Sequence, residues 1–125
     1  MTSHRILQLN AFSTAACALV MLATRGLLHG LFGLQTPVLL DVLAAGFLAY
    51  AGALALAAAR QPVTYQALIA FTLADGLYVA ASLVMLLLFW DQLAPVARFL
   101  VIAVGLVVEV FATLQFRAAR ALRIA

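Results

Sequence analysis

The chain has 125 residues, 68% of them apolar and 9% charged, with a mean hydropathy of +1.20. A soluble domain is roughly half apolar and about a quarter charged, so this composition excludes a fold that must coat itself in polar surface. The net charge of +3 rests on seven arginines scattered between apolar runs, with no lysine, which argues against a nucleic-acid surface and makes the arginines markers of orientation.

Four membrane spans of ~20 residues need ~80 residues plus connections, which this length supplies. The expected fold is an all-α membrane protein, a four-transmembrane-helix antiparallel bundle forming one transmembrane domain over residues 1–125. The first expected span is Leu7–Leu27. Arg5 and the apolar stretch behind it resemble a signal segment, and Thr14-Ala15-Ala16-Cys17 resembles a lipoprotein cleavage box. The leucine usual three positions before the cysteine is missing, and Gln8 and Asn10 interrupt the stretch, so the reading is an uncleaved first helix. Asn10, Thr14, Cys17, Met21 and Thr24 form a moderately polar stripe along it.

The second span, Val38–Ala58, carries Asp41 near its start, Tyr50 near its middle, and Ala45, Ala49, Ala53 and Ala57 at four-residue intervals. Such small-residue ridges, like Gly26-x3-Gly30 at the end of the first span, let helix backbones approach closely in lipid. The third, Ala67–Leu88, stacks Thr72, Asp75, Tyr78 and Ser82 on one side. The fourth, Val96–Phe116, holds Glu109 between Gly105 and Thr113. Pro37, Pro62 and Pro95 fall in the breaks before the later helices, where a missing N–H costs least. Tyr65 and Trp90 stand at span ends as interfacial aromatics do. Continuous Ala/Leu runs exclude a membrane β-barrel, which needs alternating segments.

Arg5, Arg60, Arg117, Arg120 and Arg123 lie on one side of these spans, Arg25 and Arg98 on the other. That bias predicts a multi-pass protein of the bacterial inner membrane with both termini cytoplasmic. Gln35, Pro37, Val38 and Gly46 open the second span much as Gln92, Pro95, Val96 and Gly105 open the fourth, an echo that suggests two tandem hairpins.

The acids inside the spans are the main site candidates. Counting from span midpoints at ~1.5 Å per residue puts Asp75 ~4 Å, Glu109 ~4.5 Å and Tyr50 ~3 Å to the cytoplasmic side of the centre. The candidate intramembrane polar site is therefore Asp75, Glu109, Tyr50, Tyr78, Thr72 and Thr113. Read functionally, it is an acid pair for a proton, a cation or a polar substrate group, because charged residues at this depth are costly to insert. Read structurally, the hydroxyls bond the carboxyls and hold the helices together. Arg25 and Asp41, both ~10–12 Å toward the outer face, are expected to pair as a clamp on the first hairpin, with His29 one turn beyond Arg25.

The inventory excludes much chemistry. Without lysine there is no Schiff base, and His4 and His29 lie toward opposite faces, so a bis-histidine haem within the bundle fails. One cysteine excludes a dithiol enzyme, no His/Glu/Cys cluster has metal-ligand spacing, and Ser82 has no histidine in register. No catalytic residue, metal or cofactor is expected. Small multidrug resistance transporters carry an acid in the first helix, absent here, and the Asn and Phe positions of fluoride channels are not found. The pattern Asp75-x2-Tyr78-x3-Ser82 in the third span and a fourth span ending near Gln115 resembles the short four-helix proteins of bacterial inner membranes, although Tyr78 stands where Trp is expected. That resemblance implies no activity. The leading expectation is a non-enzymatic membrane protein acting by helix packing, as a homo-oligomer or as an accessory subunit of a membrane complex. The alternative is a small proton-linked transporter or channel using Asp75 and Glu109. A third reading is an apolar-ligand pocket lined by Tyr50, Phe71 and Tyr78.

Overall fold

The computed structural model describes residues 2–33, 38–60 and 62–124. It is 91% helical, with no strand among the described residues. The helices are α1 (Ser3–Ala23), α2 (Arg25–Leu31), α3 (Val38–Ala59), α4 (Tyr65–Phe89) and α5 (Pro95–Ile124), with one 3-10 turn at Trp90–Gln92. Four of them, all but α2, are long and apolar enough to cross a membrane. In hydrocarbon each backbone polar group must be satisfied within its own segment, which is why apolar runs of this length fold as unbroken helices.

Local chemistry sets the helix ends. The Thr2 hydroxyl accepts from Arg5 N–H and that of Thr64 from Ala67 N–H, capping α1 and α4. α5 opens on Pro95, whose absent N–H would have been an orphan there anyway. Three ends differ from the sequence reading by more than two residues, the first being the start of α1 at Ser3 rather than Leu7. The first span stops at Ala23 rather than Leu27, because Thr24 leaves helical geometry and donates its hydroxyl to Val20 O at 2.7 Å; Arg25–Leu31 is a separate helix. The fourth continues past Phe116 to Ile124, since nothing after Arg117 breaks a helix. At ~45 Å, these 30 residues exceed the hydrocarbon thickness of ~30 Å, so the arginine-bearing end projects beyond it. Gln35 and Pro37, half of the internal echo, lie outside the described residues.

α1 packs along α3, and α4 along α5, while contact between the two pairs is sparser and runs chiefly between α1 and α5. At one end all four long helices meet. Leu7, Leu54 and Leu68 are fully buried there with Ala58 and Ala119, and Val63 closes the cluster from the α3–α4 link. His4 caps it by donating Nδ1–H to Ala58 O at 2.5 Å. At the other end α2 joins the pairs. Its Leu31 and the following Phe32 pack on Leu86, Leu93 and Ala97, and Ala94 N–H donates to Leu31 O at 3.0 Å. Gly33 ends α2 at φ +68°, and a Cβ there would lie 3.1 Å from Gln92 O. Arg98 stacks 4.3 Å above the Trp90 ring and donates Nε–H to Trp90 O, fixing the turn into α5.

The buried face of α3 is Leu40, Ala44, Ala51, Leu54 and Ala58. Ala45, Ala49 and Ala53 of the expected ridge face outward and are exposed, so the chain does not use them for its own packing.

Candidate polar site and cavity

Asp75 is at the centre of a hydrogen-bond cluster drawing on every long helix. It is buried, at 3% exposed, and so are Asn10 at 4% and Gln115 at 0%. Asn10 donates from Nδ2 to Asp75 Oδ2 at 3.1 Å and to Gln115 Oε1 at 2.7 Å. Gln115 Nε2 donates to Asp75 Oδ2 at 3.0 Å, and the Tyr50 hydroxyl donates to Asp75 Oδ1 at 2.7 Å. Thr14 completes the set by donating to Asn10 Oδ1 at 3.2 Å. The donors to Asp75 come from α1, α3 and α5, and none carries a charge. Such interhelical bonds are the polar adhesive of membrane bundles, where the alternative is a bare polar group in hydrocarbon. Among the described residues no buried side-chain nitrogen or oxygen lacks a partner.

The structure brings only part of the expected set together. Tyr50 bonds Asp75 directly, while Tyr78 lies one turn along α4, edge-on to Phe47 with ring centroids 5.5 Å apart. Thr72 and Thr113 donate instead to Leu68 O and Glu109 O, each four residues back in its own helix. Glu109 is exposed on the outside of α5 and its carboxyl is not in the Asp75 cluster. Gln115, not Glu109, is the α5 residue at the level of Asp75: Glu109 is six residues away, about 9 Å along the axis and about 120° round the helix from the face that turns inward. Arg25 and Asp41 are joined by two bonds, Nε–H to Oδ1 at 2.8 Å and a second N–H to Oδ2 at 2.5 Å, with both side chains partly exposed. Asn10 and Gln115 are the partners that the sequence reading did not assign to Asp75. An amide inside an apolar span was the signal for Asn10. Gln115 was obscured by ending the fourth span at Phe116, which placed it at the membrane edge.

Beside the cluster is a cavity of about 450 Å³. Its lining runs from Asn10 to Cys17 along α1 and from Asp75 to Tyr78 along α4. On α3 it runs back from Tyr50 to Phe47, and on α5 from Phe111 back to Ala103. The leucine core occupies the opposite side of the cluster on each helix. The polar residues thus form a layer, with close packing on one side and open space on the other. The cavity is lined by both helix pairs, with Phe47 of α3 against Tyr78 of α4 beside it, and α2 touches both pairs at the far end. Tyr50 and Tyr78 line this space, as the pocket reading expected; Phe71 does not line it and packs against Tyr50 with centroids 5.7 Å apart. Among the described residues no group of three or more His, Cys, Asp or Glu could hold a metal ion.

Compared with known proteins, the chain matches no protein-family model, no curated protein and no solved structure.

Proposed function

We propose that this is a non-enzymatic multi-pass protein of the bacterial inner membrane that acts by lateral helix packing, first as a homo-oligomer and otherwise as an accessory subunit of a membrane complex. The observation that carries the reading is Glu109. It stands in the middle of α5, exposed, with Leu106 and Val110 exposed beside it. A charged side chain inside the hydrocarbon core costs up to about 2.5–3.5 kcal/mol on insertion scales and is almost always turned toward protein or a water-filled cavity. An isolated chain would turn Glu109 toward lipid, whereas a neighbouring chain can cover it. The exposed Ala45, Ala49 and Ala53 offer a second close-packing surface on α3.

The bundle is antiparallel with both termini cytoplasmic. The arginine bias supports the orientation, and the cavity lining, which advances along α1 and α4 and retreats along α3 and α5, supports the alternation. In this arrangement the cavity faces the outer half of the membrane and the Arg25–Asp41 pair lies near the outer surface. Nothing in the site argues for the paired-acid transporter, since Asp75 bonds neutral donors and Glu109 faces outward.

Single-molecule photobleaching of labelled protein in liposomes at low density tests the reading. Wild type is expected to bleach in several steps. Glu109→Leu removes the cost of exposing an acid to lipid, so its dissociation constant should rise by roughly two orders of magnitude, the equivalent of about 2.5–3.5 kcal/mol. Single-step bleaching of wild type at every density would overturn self-association, and an unaltered oligomer in Glu109→Leu would remove Glu109 from its interface.

A further inference from the structure

We infer that the cavity beside Asp75 is a binding site for a small organic monocation, an ammonium or similar charge carried on an apolar body. The inference is independent of whether the chain works alone or in an assembly.

The floor of the cavity carries the recognition. Asp75 lines it, and all three of its hydrogen-bond partners are neutral. Among the described residues no arginine or histidine lines the space, so no counter-charge stands there. An ionised carboxyl has about four acceptor positions. Among the described residues Oδ2 accepts two bonds and Oδ1 one, from Tyr50, which leaves Oδ1 room for one more donor. A buried charge with neutral neighbours gains most from an opposite charge brought into the same low-dielectric space.

The walls select what carries that charge. Phe47, Tyr50, Tyr78 and Phe111 line the space, and aromatic faces attract cations. Val104, Val107 and Val108 on α5 make the facing wall apolar. A hydrated inorganic ion would meet that wall at a loss, whereas a hydrocarbon body fills it. The volume of about 450 Å³ falls in the range of small-molecule pockets, about 300–1,000 Å³. Acid, aromatic rings and aliphatic wall together describe an amphipathic cation.

Adamantylammonium and 1-adamantanol make a matched pair of probes, equal in shape and different in charge. Equilibrium dialysis against the full-length protein in phosphatidylcholine nanodiscs, with empty nanodiscs as reference, measures binding. Cys17, the single cysteine of the chain, lines the cavity and reports location through its alkylation by N-ethylmaleimide. Adamantylammonium is expected to bind at least about tenfold more tightly than the alcohol and to slow Cys17 alkylation as it saturates. Asp75→Asn should bring the two affinities together. Should that variant fail to fold, Val108→Phe fills the cavity without touching the polar cluster and should abolish binding of the cation. Equal affinity for the two probes, no binding of the cation to folded protein, or cation binding that neither protects Cys17 nor responds to Val108→Phe would each overturn the proposal.

Discussion

Replacing Asp75 with alanine removes the acceptor shared by Asn10, Tyr50 and Gln115, and so cuts the polar layer where all four long helices meet. Interhelical hydrogen bonds in membrane bundles average about 0.6 kcal/mol and reach about 1.7, so losing three comes to roughly 2–5 kcal/mol. Alanine also relieves the cost of burying a carboxyl, which pulls the result toward the lower end of that range. Asp75→Asn keeps the shape and one acceptor oxygen, which can still serve Asn10 and Gln115 with the new amide turned to the Tyr50 hydroxyl, so a single bond is lost at about 1 kcal/mol. Reversible unfolding by SDS titration in mixed micelles reads both variants, with Trp90, the single tryptophan, as fluorophore. An alanine variant within about 0.5 kcal/mol of wild type would refute the bracing role, since changes of that size are ordinary for uninvolved sites. An asparagine variant as damaged as the alanine one would mean that charge, not hydrogen-bonding shape, holds the layer.

Removing Arg25 or Asp41 alone should cost more than removing both, because a single truncation strands the other charge; a double mutant no more stable than either single one would show them uncoupled. Gly33→Ala should lower stability by about 1 kcal/mol or more in thermal unfolding, through positive φ and the approach to Gln92 O; an unchanged midpoint would deny that this turn matters. In a Cys17→Ser background, a membrane-impermeant thiol reagent added to intact cells should modify a cysteine at Gln92 and spare one at Gln66; the reverse pattern would invert the topology.

Much of the fold is legible in the residues. Apolar runs, proline breaks and span-end aromatics locate the long helices, and the second and third spans fall within two residues of the expected ends. What was hidden depends on azimuth and on weak breaks. The Thr24 break is a single hydroxyl competing for a backbone carbonyl, inside a run that is apolar on either side. Reading Arg117 as a boundary cut α5 short, and with it the depth of Gln115, although a helix carries its charges into the headgroups without ending. Asp75 was identifiable as a charge in a span, and its polar stripe does turn inward. Glu109 has an equally suggestive stripe, but Gly105 and Thr113 are too small and too locally bonded to decide a face. The cavity is lined by residues of all four long helices, so no single-helix pattern contains it.

The central claim is that the Glu109 face of α5 packs against another chain, and the distance between protomers tests it most directly. Thr113 is exposed one turn from Glu109, so a spin label on Thr113→Cys in the Cys17→Ser background reports on that face. In liposomes, pulsed dipolar spectroscopy should show a short inter-protomer separation, set by helices about 8–10 Å apart at their axes plus the reach of two labels. Labels on exposed Leu77 of α4 serve as comparison. A short distance at residue 113 that lengthens in Glu109→Leu is the predicted result; no dipolar coupling at residue 113 at any protein-to-lipid ratio would contradict it.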